Sequence, residues 1–123
     1  MAAWALLFRG TPLQETRFSQ LSTKKQMLIR LCQRVSYGSI LNVKVVDGDC
    51  DLSFGEVTLD VRLDEEAGPR QELALPDFVL PAESCRLLAQ INSMANGFVE
   101  KITIHDGIPR RVILRCSLAP EAD

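Results

Sequence analysis

Asp47, Asp49 and Asp51 set three carboxylates at alternate positions, the spacing that opens a calcium loop. An EF-hand then needs glycine at its sixth position and a bidentate glutamate at its twelfth. Leu52 and Thr58 stand there, so the triplet reads as a polar hairpin tip. His105 is the only histidine. Strand alternation turns it away from Ile102 and Ile104, toward solvent or a second layer. Asp106 follows it, but adjacent strand residues face opposite sides, so acid–base work would need a partner delivered by folding. Lys101, Arg110, Arg111 and Arg115 could form a basic face on the last hairpin, with Lys101 and Thr103 sharing the outward side. A nucleic-acid-binding sheet interleaves aromatics with such charges, and Phe98 is the only aromatic in that hairpin. Cations there also guard a strand edge. Lys101, His105, Arg110 and Arg111 are the candidate binding residues. No catalytic residue, metal site or cofactor is assigned.

The wider chain lowers the enzyme expectation further. It contains no Gly-x-Ser-x-Gly, phosphate loop, dinucleotide fingerprint or His-Glu-x-x-His. Its net charge of −2 gives no footprint for nucleic acid, and the basic residues are scattered. With 46% hydrophobic residues in 123, the chain can bury one core without disulfides or metal. The apolar run 2–8 is too short to span a bilayer and lacks the flanks of a signal peptide. Cys32, Cys50, Cys85 and Cys116 form no Cys-x-x-Cys unit. Cys32 and Cys85 lie in expected helices with apolar neighbours and read as small buried hydrophobes, which fits a reducing compartment and, by elimination, a cytoplasmic location.

The elements that must position these residues follow from periodicity. Leu28, Leu31, Cys32 and Val35 fall on one helical face. Thr23 and Gln26 have capping-box spacing, so the helix starts near Lys24, and Tyr37-Gly38 ends it, with Gly38 closing the C-terminus. Tyr37 reads as a plug between helix and sheet. Residues 39–46 alternate as a strand, and Asp47-Gly48 is a hairpin turn. Val57, Leu59, Val61 and Leu63 make the cleanest alternation in the chain, after a break or bulge at Gly55. Residues 72–75 read as a strand ended by Pro76. Pro81 opens a second helix with a stripe of Leu87, Leu88, Ile91, Met94 and Ala95. Strands at 98–105 and 110–116 flank the turn 106–109. A short strand at 3–8, anchored by Trp4 and Phe8, precedes everything, and 117–123 is a frayed tail.

Two stretches follow one plan. Gly38, Asp47 and Gly48 recur as Gly97, Asp106 and Gly107, an offset of 59 residues in each case. At that offset Leu28 meets Leu87, Cys32 meets Ile91, Val35 meets Met94, Val43 meets Ile102 and Val45 meets Ile104. Two copies at such a spacing do not make a solenoid. They predict two α-β-β units sharing one core.

The run Val35-Ser36-Tyr37-Gly38-Ser39-Ile40, followed by Asp47-Gly48, resembles the small bacterial YezD-type proteins. Those carry a helix, a Tyr-Gly-Ser-Val step, a strand and an Asp-Gly turn. The likeness covers about a fifth of the chain, and the second unit departs from it with Asn96-Gly97-Phe98. That family is itself uncharacterised, so the likeness implies no activity and no site.

The expected fold is α+β: one domain over 1–123, with a mainly antiparallel sheet and two helices on one face, built from units at 23–75 and 81–116. A ferredoxin-like core with extra strands is the alternative. Leu28, Leu31, Val35, Leu87, Leu88 and Ile91 should face Val43, Val45, Val57, Leu59, Ile102 and Ile104. The expected function is a non-catalytic interaction or assembly module, self-associating through a sheet edge or face. The alternatives are a small enzyme or ligand-binding domain near His105 or Asp47–Asp51, and nucleic-acid binding through the last hairpin.

Overall fold

The computed structural model describes residues 16–66 and 70–115. The expected strand at 3–8, Cys116 and the tail 117–123 lie outside the described residues. Helix α1 spans Thr23–Val35. The Ser22 side chain accepts the Lys25 N–H and caps it, one position earlier than the Thr23–Gln26 spacing indicated. Strands β1 (Tyr37–Val46), β2 (Asp49–Asp51) and β3 (Glu56–Leu59) follow. Helix α2 spans Ala82–Met94 with Pro81 as its N-cap, and β4 (Gly97–His105) and β5 (Ile108–Arg115) complete the chain. The fold is α+β, two α-β-β units forming one antiparallel sheet under two helices.

β1 and β4 are the central pair, joined antiparallel from Tyr37↔His105 to Val45↔Gly97. β5 flanks β4. On the other side of β1, β2 pairs with residues 44–46 and β3 with residues 38–41, so one return path is split where the second unit has a continuous strand. The split falls at the turn leading to Gly55, where the sequence indicated a break.

Helices and sheet bury Leu28, Ile29, Cys32 and Val35 from α1, Leu87, Leu88 and Ile91 from α2, and Ile40, Val43, Val45, Val99, Ile102 and Ile104 from the central strands. Leu31 is only half-buried against this core. The inward set of β1 is Ile40, Val43 and Val45, because Asn42 has φ of 59° and shifts the alternation by one residue. Val57 and Leu59, expected inside, are 41% and 61% exposed. They lie on the helix side of the sheet, opposite Ile40 and Gly38, beside the C-terminal end of α1, which leaves them only partly covered.

Residues 71–74 form a 3₁₀ turn in place of the expected strand. Both sides of β1 are already occupied, and Arg30 of α1 takes the Glu72 and Leu75 carbonyls. Its guanidinium also lies 4.3 Å over the Phe18 ring, which stacks on Phe78 at 4.9 Å. The segment before α1 and the segment before α2 are therefore clamped together. Arg17 and Asp77 form an ion pair across them at 2.8 Å. The Arg17 guanidinium, helped by the Ser19 N–H, holds the Asp77 carboxyl down at about 2.

The joints between helix and sheet agree in detail at the offset of 59. Ser36 and Ala95 end the helices with φ of 61° and 63° and ψ of −61° and −64°. At Ala95 the Asn96 N–H bonds the Met94 carbonyl at 2.7 Å, a γ-turn of the strained hand. The turned carbonyls are then used crosswise: Gly48 N–H donates to Ala95 O at 2.8 Å, and Gly107 N–H donates to Ser36 O at 2.9 Å. Each hairpin tip is fastened to the helix end of the opposite unit. Gly38 and Gly97 have φ of 150° and 153° and lie inside β1 and β4, not at a helix C-terminus as expected for Gly38. Gly38 is required by close approach: a Cβ there would stand 2.0 Å from the Thr58 carbonyl oxygen.

Candidate interaction surface

The two helices cover one face of the sheet and leave the other open. Residues paired directly across antiparallel strands point to the same side. The open face therefore reads in rows: Asp51, Lys44, Phe98 and Arg115; then Glu56, Leu41, Lys101 and Ile113; then Thr58, Ser39, Thr103 and Arg111; then Tyr37 and His105. Carboxylates sit toward the β2–β3 edge and arginines at the β5 edge. The Arg115 guanidinium lies 5.3 Å from the Phe98 ring and 3.5 Å from the Glu100 carboxylate. The Tyr37 and His105 rings meet edge-on at 4.8 Å, so Tyr37 serves the outer face and is not a plug toward the helices.

The four residues singled out from the sequence do not converge. Lys101, His105 and Arg111 share the open face in separate rows. Arg110 falls at a register shift in β5 and turns away, donating to the His105 carbonyl at 3.3 Å and pairing with Glu83 of α2 at 3.0 Å. The Asp47–Asp51 carboxylates are also dispersed. Asp49 accepts the Ser22 hydroxyl at 3.0 Å, and Asp51 accepts the Ser53 N–H at 2.9 Å; the Ser53 side chain, with that N–H, holds the Asp51 carboxyl below the usual range. Among the described residues no three His, Cys, Asp or Glu side chains group to hold a metal ion. Burial pushes the Cys32 thiol up to about 12 and the Cys50 thiol up to about 11, so neither supplies a thiolate nucleophile at neutral pH.

Among the described residues, a row of exposed apolar side chains lies elsewhere. Val57, Leu59, Val61 and Leu63 stand in alternation along and beyond β3, and Val61 and Leu63 are 64% and 95% exposed. Leu59 and Val61 line one wall of a groove of about 430 Å³, with Arg34 and Val35 of α1 and Leu73 opposite. The β3 backbone is an edge. Asp60 N–H donates to Tyr37 O at 2.9 Å, so the even-numbered residues bond β1 and the N–H and C=O groups of Val57 and Leu59 point outward. Among the described residues, none hydrogen-bonds those outward groups. The alternation was visible in the sequence but read as core. What it could not reveal is that β1 is shared by β2 and β3, so that among the described residues no strand pairs the end of the alternating stretch and no helix covers it.

No family model, curated protein or solved structure matches the chain. No helix among the described residues is long and apolar enough to cross a membrane.

Proposed function

We propose that the chain is a non-catalytic assembly module that self-associates through its sheet. One observation carries this reading: an alternating apolar row, 41–95% exposed, runs along and beyond β3, whose outward backbone groups at Val57 and Leu59 have no partner among the described residues. An exposed apolar edge strand is a template for pairing with another chain. The open sheet face is a poorer choice, because packing it would bury Lys44 and Lys101 at its centre, and buried cations cost several kcal/mol, on the order of 3–5, when unpaired. The two α-β-β units share one architecture, and the YezD-type likeness of the first adds no site. Sedimentation at tens of micromolar, a concentration suited to weak association, tests the reading. A dimer supports it, and a monomer overturns it.

A second reading has its own support. Tyr37, His105 and Phe98 lie on the open face among Lys44, Lys101, Arg111 and Arg115, the mixture of rings and cations that single-stranded nucleic acid uses. Retention on heparin at low salt, lost as salt rises, would favour it. Flow-through would remove it.

A further inference from the structure

We infer that two copies of the chain join antiparallel along β3, with Leu59 opposite Leu59 of the second copy, an inference that rests on the self-association reading above. The geometry narrows the register to very few choices. Outward backbone groups belong to odd-numbered residues, so odd must pair with odd across the two-fold axis. Every register centred on a residue satisfies this, but centring on 57 sets Leu59 against Gly55, and centring on 61 puts Glu56 opposite Glu66 and Val57 opposite Glu65, which leaves centres 58, 59 and 60. Centring on 58 puts Glu56 opposite Asp60, and centring on 60 puts Glu56 opposite Asp64, both like-charge pairs. Centring on Leu59 puts Glu56 opposite Arg62 twice, Val57 opposite Val61 twice, and Thr58 opposite Asp60.

Charge and apolar pattern thus select one register. The Leu59 pair exchanges its free N–H and C=O groups, and the two Val57–Val61 pairs do the same as the strand extends past Leu59 in the dimer. Their side chains form one continuous apolar row on the helix side, meeting the groove beside α1 of each copy. Among the described residues Arg62 pairs with exposed Asp64 and Glu65, at 2.9 and 3.6 Å, weak solvent-screened contacts that do little to oppose its turning to Glu56 of the second copy. The result is one sheet running from β5 of one copy to β5 of the other, closed by an isologous contact.

Charge reversal tests the register. Glu56→Arg and Arg62→Glu should each weaken the dimer about ten-fold, since each turns two attractions into repulsions. Combined in one chain, they should restore affinity to within about three-fold of the parent. Amide exchange at Val57, Leu59 and Val61 should slow as concentration rises through the dimerisation range. A dimer that is indifferent to the single reversals, or that the double reversal fails to restore, overturns this register and leaves self-association standing. A parent chain that sediments only as monomer overturns the self-association reading itself. Unchanged exchange at the three amides in a proven dimer places the contact elsewhere and also overturns the register.

Discussion

An alanine at 38 would meet the Thr58 carbonyl oxygen at 2.0 Å, whereas at 97 the nearest atom is the mobile Met94 Cε at 2.8 Å. Both sites have φ near 150°, so both substitutions carry backbone strain. Only the first must also push β3 off β1. We expect Gly38→Ala to cost about 3–4 kcal/mol and Gly97→Ala about 1–2, measured by urea denaturation. The opposite exchange at Ala95 should stabilise. Its φ of 63° is disfavoured for a side chain, and Ala95→Gly should gain about 1 kcal/mol, seen as a raised Tm. Ser36 has the same backbone, but its hydroxyl bonds the Gln33 carbonyl at 3.3 Å, so glycine there gains less. Cys32 and Cys50, buried with raised thiol values, should resist iodoacetamide at pH 8 in the native protein and react on unfolding. Mass mapping of the labelled peptides would check this.

Among the elements, the clamp around Arg30 joins the 16–20 segment to the 70–80 connection. Arg30→Ala removes bonds to Gln33, Glu72 and Leu75 and the cover over Phe18, and should cost about 2–3 kcal/mol in denaturant melts. Asp77 makes the same junction sensitive to acid. Its carboxyl titrates at about 2 in the fold and about 3.9 when unfolded. The folded state therefore binds fewer protons between those values. The stabilisation is complete above pH 4 and disappears as pH falls through 2. Asp77→Asn should flatten the fall of Tm across that window. These contacts also mark where reading the sequence stopped. Both helices and both Asp-Gly hairpins were legible, because caps, stripes and turns are local signals. Residues 71–74 and the end of β3 were not, because β1 offers only so many positions and Arg30 claims the carbonyls of the connection. The candidate cations were legible as exposed but not as separate: Arg110 leaves the others at a register shift that no periodicity announces.

At the scale of the molecule, the β1–β4 ladder joins the two α-β-β units at the middle of the sheet. The sheet nonetheless has two unlike edges. β5 ends the sheet with Arg110, Arg111 and Arg115, which discourage pairing, whereas β3 ends it with an apolar row. Leu59→Lys with Val61→Lys should leave the Tm of the single chain within about 2 °C, since both side chains are exposed, while abolishing the dimer in sedimentation.

The crosswise bonds from Gly48 to Ala95 and from Gly107 to Ser36 have a mechanical outcome. Each half holds the other's latch, so neither can melt ahead of its twin. A polypeptide nicked between residues 66 and 70 should stay together as a tight two-piece complex, and dilution or heat should release both pieces in one step.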